Sequence, residues 1–245
     1  MSGMLTPSAP ASHSKDPVLG RPRATDAARR DRRADILLAA ERLFAQRGYH
    51  AVSLRQIAAE ASVPLALVSY HHGSKQELFH AIFAHWKPTL DARLQRLAAV
   101  RHQADGGSDA LPRIVQAFVE PVLQLRSSAE GEYYAMLVAR EVALGSSDLG
   151  SVLHDFFDPL ANAFIDALHA ARPQATRTQA AWAYQFALGA LLHHLCDKRI
   201  GPLSHGQALP NDAQAAPLLQ RFICCGIDAV LNPPSSLPVS EGDTP

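Results

Sequence analysis

Short helical repeats of apolar residues, separated by residues that end helices, run through the first third of the chain. Ile36, Ala40 and Phe44 recur at helical spacing with charged residues between them, which predicts a first helix beginning near Asp31. Gly48 ends this helix, because a residue without a Cβ adopts the left-handed C-terminal conformation with little strain.

Two helix starts follow within a few residues. Ser53 precedes Gln56 by three positions, the spacing of a capping box in which each side chain satisfies a backbone N–H of the other residue. A second helix is therefore predicted from Leu54. Pro64 interrupts the pattern, because proline lacks a backbone donor and favours the first turn of a new helix. A third helix is predicted from residue 65 to residue 71 or 72.

Gly73 ends the third helix, and Ser74 and Glu77 repeat the capping-box spacing directly after it. A long fourth helix is therefore predicted from residue 75 toward residue 101, kinked or split at Pro88. Beyond a linker at 104–109, apolar residues at helical spacing predict further helices around 114–125 and across 133–144, 152–171, 176–199 and 213–231.

Two very short helices joined by a tight turn and braced by a longer helix match the helix-turn-helix, whose second helix enters the major groove of DNA. This segment resembles the N-terminal DNA-binding domain of the TetR family of bacterial repressors. The resemblance lies in SLRQIA at 53–58, ASV at 61–63, VSYH at 68–71 and GSKQEL at 73–78. It covers about fifty residues, and beyond them only length and helical character match.

These patterns predict an all-α fold with an N-terminal three-helix helix-turn-helix domain and a C-terminal helical domain for ligand binding and dimerisation. Hardly any strand pattern is present. The predicted boundaries are a disordered tail at 1–24, the helix-turn-helix domain at 25–78, the effector-binding and dimerisation domain at 79–231, and a second disordered tail at 232–245. Both tails are rich in Ser and Pro.

The net charge is zero, but its distribution is uneven. Residues 21–75 hold ten Lys and Arg against five Asp and Glu, whereas residues 76–245 hold twelve against seventeen. A basic N-terminal third on an acidic remainder is the asymmetry expected when only one part of a protein meets phosphates.

Candidate DNA contacts fall into three groups. A basic arm ahead of the first helix would reach phosphates or the minor groove, and its members are Arg29, Arg30 and Arg33. The alternative is that these arginines form a run of charged residues exposed to solvent. Backbone contacts are predicted for Ser53, Tyr70 and Lys75, a role that the family resemblance implies for the last two, while Arg55 reaches either backbone or base. Base readout falls to the exposed positions of the third helix, namely Pro64, Leu65, Ala66, Ser69 and His71.

Two residues depart from the family pattern. Pro64 stands where a capping Ser or Thr is common, and His72 stands where Phe is common. We expect His72 to be a neutral, half-buried ring with a satisfied hydrogen bond rather than a metal ligand, because adjacent histidines on a helix point in different directions.

Near the C-terminus, AAWAYQFALGALLHHL is apolar almost all the way round and must be covered on several sides, by core and by a partner subunit or a ligand. The resemblance implies that the last two long helices pair with their copies in a four-helix bundle, with Gly189 and Ala190 allowing close approach. A homodimer also suits DNA reading, because two short recognition helices on a two-fold axis read a palindrome.

The resemblance also implies a small-molecule pocket in the C-terminal domain. Candidate effector-binding residues are polar or aromatic side chains within its apolar helices, namely Tyr133, Tyr134, Arg140, Trp182, Phe186 and His193, with Glu141, Tyr184 and His194 as further candidates. Each has the alternative of an interior residue satisfied by a neighbour, or of a surface residue. Arg140 would favour a carboxylate or phosphate if it faced inward. The apolar surroundings predict a hydrophobic or amphipathic effector.

Other classes of protein find little support in the sequence. No nucleophile elbow, P-loop, GxGxxG or HExxH occurs, so we expect no enzyme, no catalytic residue and no cofactor. His193 and Cys196 lie three residues apart, but no second pair completes a metal site, and we expect none. Three cysteines form no disulfide framework, which favours a reducing compartment and a cytoplasmic location without a membrane partner.

The sequence therefore predicts a homodimeric transcriptional regulator, a repressor released from a palindromic operator in double-stranded DNA by a small effector. The alternative is a helical ligand-binding or adaptor protein without sequence-specific DNA binding. Salt-dependent DNA binding separates the two.

Overall fold

The structure is a computed structural model, and it describes residues 24–103, 110–144, 150–210, 212 and 214–232. The predicted linker at 104–109, nearly all of the predicted N-terminal tail, and the predicted C-terminal tail beyond residue 232 lie outside these ranges. The helices are α1 (Ala24–Arg47), α2 (Leu54–Glu60), α3 (Leu65–His72), α4 (Lys75–Gln103), α5 (Leu111–Ser127), α6 (Glu132–Leu144), α7 (Gly150–Val152), α8 (Asp158–Ala171), α9 (Arg177–Cys196), α10 (Ile200–Leu203) and α11 (Ala215–Leu231).

The first helix begins at Ala24, seven residues before the predicted start near Asp31. The prediction was wrong because it relied on apolar periodicity, which begins only at Ile36, where α1 meets the core. Alanine and arginine favour helix even without an apolar face, and no Gly or Pro interrupts the segment between Ala24 and Ile36. The end of α1 is as predicted, with Gly48 at φ +87°.

The predicted helix-turn-helix is present. Both hydrogen bonds of the capping box form at α2, where the Ser53 hydroxyl accepts from the Gln56 N–H and the Gln56 side chain accepts from the Ser53 N–H. The turn between α2 and α3 places Ser62 in the left-handed region at φ 55°. Pro64 then precedes α3 as its N-cap in extended conformation, without a side-chain capping bond.

The N-terminal core reaches beyond the first four helices. Phe44, Phe79 and Phe83 lie at its centre with their rings in edge contact. Tyr134 of α6 and Val152 of α7 are buried in the same cluster. The predicted boundary at residues 78 and 79 falls inside α4, so the two halves share a helix and part of a core.

A second core forms between α4, α5, α8, α9 and α11, where Phe118, Phe164 and Ile223 are among the buried residues. One helix serves both cores, because α4 continues unbroken through Pro88 and buries Leu90 and Leu97 in the second. The sequence allowed either a kink or a split at Pro88. The helix is not split, so α4 is one continuous connection between the two halves.

A single π-helical turn, Leu153–Phe157, joins α7 to α8. Such turns hold one residue more than an α-helical turn and occur often at functional sites. Phe156 and Phe157 of this turn pack against both cores. Within the ranges that the structure describes, no helix is long and apolar enough to span a bilayer.

Candidate functional site

The outer face of the helix-turn-helix gathers most of the predicted DNA contacts. Predicted residues that are exposed on α2, on α3 and at the turns before them are Ser53, Arg55, Pro64, Leu65, Ala66, Ser69 and Tyr70. Val68 of the same helix is fully buried, so α3 packs through one side and presents the other. His71 is partly buried, with its ring 5.2 Å from that of Tyr70.

Tyr70 and Lys75 flank the end of α3. The Tyr70 side chain is 65% exposed, which leaves its hydroxyl accessible to a phosphate. The Lys75 Nζ lies 4.2 Å from the centre of the Tyr49 ring, so a cation–π contact holds the ammonium group at the start of α4. The two residues present a hydroxyl and a positive charge beside the recognition helix.

The predicted basic arm is part of α1. Arg29, Arg30 and Arg33 all lie within this helix rather than ahead of it. The Arg33 side chain is exposed, and its carbonyl oxygen lies 3.1 Å from Nε2 of His72, which is buried. Burial lowers the pKa of His72, so its ring is neutral and donates to this carbonyl, as expected from the sequence.

Arg140 has a different role from the one that the sequence offered. Its guanidinium donates to the carbonyl oxygens of Gln46 and Arg47, each at 3.3 Å, and therefore caps the C-terminal end of α1. The same guanidinium lies 2.9 Å from where a Cβ on Gly48 would stand. Arg140 thus connects α6 to the end of α1. It does not line the cavity of the C-terminal half that is described below.

Two further candidates also lie at this junction between α1 and α6. Tyr133 accepts a hydrogen bond from Nε of Arg42 at 3.2 Å, in an open groove between the helices. Glu141 is buried, and its Oε1 accepts from the backbone N–H of Tyr49 at 3.2 Å. These side chains stabilise the packing of α6 on the DNA-binding half.

A buried carboxylate lies deeper in the same junction. Glu41 of α1 accepts a hydrogen bond from Nε1 of Trp86 at 2.8 Å and another from the backbone N–H of Tyr134. The Trp86 ring stacks on the Tyr134 ring with centroids 5.0 Å apart. Burial raises the pKa of Glu41 to about 7, although both hydrogen bonds favour its ionised form.

Tyr134 also lines a cavity of about 300 Å³ within the C-terminal half. This volume is at the lower end of the range for pockets that bind small organic molecules. Most lining residues are apolar, among them Leu90, Val138, Leu188 and Leu192. The polar lining comprises Thr89, Arg93, Tyr134, Asp158, Tyr184 and Gln185.

Of the candidates on α9, Tyr184 lines this cavity, whereas Trp182, Phe186 and His193 face away from it. Trp182 and Phe186 are 57% and 60% exposed, and their rings stack at 5.7 Å on the outer surface of α9. His193 follows on the same face, with Nε2 3.1 Å from a carboxylate oxygen of Asp197. Because α9 is apolar on all sides, the sequence did not distinguish its inner from its outer face. The inner face carries Tyr184, Leu188 and Leu191.

Four polar cavity residues were absent from the sequence-based candidates, namely Thr89, Arg93, Asp158 and Gln185, and the buried one is Arg93. It follows Leu90 by three positions and precedes Leu97 by four, so it lies within the buried stripe of α4. A charged residue on an apolar helical stripe was the available signal. Neither Arg93 nor its neighbours on α4 were among the candidates.

Comparison with known proteins gives the same architecture. The model of the tetR family of bacterial regulatory proteins matches residues 36–82, and that of the tetracyclin repressor-like C-terminal domain matches residues 116–226. Among curated relatives, the HTH-type transcriptional activator FasR of Mycolicibacterium smegmatis is 38% identical over 68 residues, which are 28% of this chain and 31% of that protein. The HTH-type transcriptional repressor Rv3405c of Mycobacterium tuberculosis is 42% identical over 80 residues, 33% and 40% of the two chains.

The match therefore spans less than half of the length of these curated relatives. Solved structures match over more of the chain. Mycobacterium smegmatis AmtR covers 83% of this chain and 87% of its own at 18% identity and a TM-score of 0.53. A TetR-like transcriptional regulator from Rhodococcus sp. RHA1 covers 80% and 95% at 24% identity and a TM-score of 0.53. At these identities the likeness concerns the fold. With both family models matching in order along one helical chain, this protein belongs to the TetR family of bacterial regulatory proteins.

Proposed function

We propose that this protein is a DNA-binding transcriptional repressor that works as a homodimer in the cytoplasm and leaves a palindromic operator when a small hydrophobic or amphipathic effector binds. The observation that carries the proposal is the exposed face of α3 with Tyr70 and Lys75 at its end, on a helix-turn-helix.

The composition of this face defines how it would read DNA. Pro64, Leu65 and Ala66 at the start of α3 offer apolar contacts to thymine methyl groups, and Ser69 offers one hydroxyl. Tyr70 and Lys75 would contact phosphates and fix the register of the helix in the groove, with Ser53 and Arg55 of the preceding helix beside them. We therefore expect an operator whose half-sites contain thymine, with part of the selectivity arising from DNA shape.

A second copy of the chain would supply the other half of the operator reading. The outer face of α9 carries Trp182 and Phe186, and α11 exposes Leu218 and Phe222, the last of them at 69%. Contiguous exposed apolar residues of this size mark interaction sites. The two helices also contact each other within the chain, so pairing with their copies would bury all four residues in a four-helix bundle.

Effector control would act through α4 and α6. Leu90 and Arg93 of α4 line the cavity, and the same helix begins at Lys75 beside the recognition helix. Tyr134 connects the cavity to α1 through Trp86 and Glu41. A ligand that alters either contact would change the separation of the recognition helices. A coupling free energy of about 1 to 3 kcal/mol changes operator affinity by about 5- to 150-fold.

The experiment that tests the proposal is selection of genomic DNA fragments by the purified full chain, repeated with the Tyr70→Ala, Lys75→Ala double variant. The matched control is Lys198→Ala, an exposed lysine of the C-terminal half. We expect wild type and control to enrich one palindrome, and the double variant to enrich none. Loss of the Lys75 phosphate contact from both subunits of the dimer should also reduce the salt slope of binding by about two.

If the wild-type chain enriches no sequence at low salt, the DNA-binding proposal fails. Repression is tested separately with a reporter placed behind the recovered site. Expression should rise when the regulator is absent, and a fall in expression would identify an activator.

A further inference from the structure

Arg93 is a buried cation in the wall of the cavity. Its side chain is only 9% exposed and lies on α4 between Leu90 and Leu97. One guanidinium nitrogen, Nη2, donates to the carbonyl oxygen of Phe118 at 3.2 Å. The guanidinium also lies 5.8 Å from the Phe118 ring centre and 5.9 Å from that of Phe164, so aromatic rings hold it in position.

This cation has no carboxylate partner among the residues that the structure describes. Its Nε is buried and has no hydrogen-bond acceptor there, although a guanidinium carries five N–H donors. Asp158, the acidic residue of the cavity lining, is 58% exposed and pairs with His154 instead. Burial lowers the pKa of Arg93, because desolvation disfavours its charged form.

A second unsatisfied donor lies in the same wall. The Tyr134 hydroxyl is buried and has no hydrogen-bond partner within the described chain. Burial raises the pKa of both Tyr134 and Tyr184, so the two phenols are neutral and able to donate. Both phenols line the same cavity as Arg93. The cavity thus combines an apolar body with one cation and two phenol hydroxyls, and its other polar lining residues are Thr89, Gln185 and the partly exposed Asp158.

We propose that the effector is an amphipathic monocarboxylate, whose head group accepts hydrogen bonds from Arg93 and Tyr134 while its apolar body packs against Val138, Leu188 and Leu192. This inference rests on the proposed function, since it defines the ligand of the same cavity. A single cation matches one negative charge, whereas a phosphate monoester carries up to two and would leave part of its charge uncompensated in an apolar site.

The test is isothermal titration calorimetry of the full chain with three matched pairs, namely octanoate and octanol, decanoate and decanol, and 4-phenylbutyrate and 4-phenylbutanol. Decyl phosphate is an additional probe that tests a phosphate head group. A charge-assisted hydrogen bond is worth enough to favour the acid over its alcohol by about 10- to 100-fold in at least one pair. Equal affinity within every pair, no binding of any acid, or a preference for decyl phosphate over decanoate would overturn the proposal.

Two variants locate the selectivity. Arg93→Met keeps an unbranched side chain of similar length, and it should abolish the preference for the acid while retaining the alcohol. Arg96→Met, on the exposed side of the same helix, is the matched control and should behave as wild type. Tyr134→Phe removes a hydroxyl that has no partner in the protein, so the variant should fold normally and weaken acid binding several-fold. An unchanged preference in both Arg93→Met and Tyr134→Phe contradicts the assignment.

Failure of this inference is distinguishable from failure of the proposed function, because DNA binding is measured independently. Fragment selection by wild type without any preference for acids leaves the regulator in place with another effector class. Acid binding at Arg93 without DNA selection leaves the ligand assignment in place and removes the regulator. When both hold, the preferred acid should release DNA from wild type and from Arg96→Met but not from Arg93→Met.

Discussion

The indole Nε1 of Trp86 donates a hydrogen bond to a carboxylate oxygen of Glu41 across 2.8 Å, in a junction where Glu41 is buried and Trp86 is partly buried. Glu41 belongs to the first helix of the DNA-binding half, and Trp86 stacks on Tyr134, which lines the cavity. Glu41 also accepts from the Tyr134 N–H, in the first turn of α6, where backbone donors have no helical partner. Three helices therefore meet at one carboxylate.

The first prediction concerns the pH dependence of stability. The pKa of Glu41 is about 7 in the folded chain and 4.5 as a reference, so the folded chain binds more protons between these values. The free energy of unfolding therefore falls as the pH rises from about 4.5 to about 7, by up to about 3 kcal/mol. Glu41→Gln should be within about 1 kcal/mol of wild type at pH 5 and more stable than wild type by up to about 3 kcal/mol at pH 8.

Urea unfolding at pH 5, 6.5 and 8, at one fixed protein concentration, measures this difference. Glu130→Gln is the control, because Glu130 is an exposed carboxylate just before α6. It should follow the wild-type curve at every pH. Identical pH profiles for Glu41→Gln and Glu130→Gln would mean that Glu41 does not titrate in this range.

The second prediction concerns the hydrogen bond itself. Trp86→Phe keeps an aromatic ring over Tyr134 but removes the donor to Glu41. We expect the free energy of unfolding to fall by about 1 to 3 kcal/mol at pH 8. The fall should be about half as large when residue 41 is Gln, because hydrogen bonds to charged acceptors are roughly twice as strong as those to neutral acceptors. A double-mutant cycle on unfolding free energies gives the coupling. A coupling of zero would show that the two side chains act independently.

The third prediction concerns the turn after α1. Gly48 and Gly206 both have positive φ values, +87° and +81°, but only Gly48 has a neighbour, Arg140, where a Cβ would stand. Gly206→Ala should lose about 1 kcal/mol through backbone strain alone, and Gly48→Ala about 2 to 3 kcal/mol because Arg140 must also move. Thermal unfolding of the two variants compares them. Equal losses would mean that Arg140 adjusts without effect on α1.

The fourth prediction concerns the oligomeric state. Phe222→Arg places a charge on the exposed apolar surface of α11, and it should convert a dimer into a monomer. Sedimentation equilibrium measures the mass of each. Leu38→Arg is the control, since Leu38 is also an exposed large apolar residue but lies on α1, and this variant should remain dimeric. A monomeric wild type, or a dimeric Phe222→Arg variant, would contradict the proposed interface.

Local sequence rules predicted the N-terminal half well, because its helices begin and end at residues with local chemistry. The capping pairs Ser53 with Gln56 and Ser74 with Glu77 form as expected, and Gly48 and Gly73 have positive φ. Those rules depend only on neighbours in sequence. The early start of α1 escaped them because apolar periodicity begins only at Ile36.

The C-terminal site was harder to predict, because facing direction on an apolar helix depends on tertiary packing. Trp182, Phe186 and His193 were grouped with the pocket although they lie on the outer surface. Arg140 satisfies helix carbonyls, a role that only the approach of α1 creates. Because α4 carries several charged residues, the burial of Arg93 becomes evident only once the buried positions of the helix are known. The assignment of Arg93 and Tyr134 to an effector stays a prediction.

The π-helical turn at Leu153–Phe157 has a consequence for the phase of the helix that contains it. Val152 before the turn packs in the N-terminal core, whereas Leu160 and Phe164 after it pack in the C-terminal core. Each residue of an α-helix corresponds to about 100° of rotation about the helix axis. The extra residue therefore sets the angle between the side chains that pack in the N-terminal core and those that pack in the C-terminal core. Deleting a residue from the turn would rotate either Val152 or Leu160 and Phe164 away from the core in which they pack. The π-helical turn also places Leu153 and Phe157 together on the cavity wall.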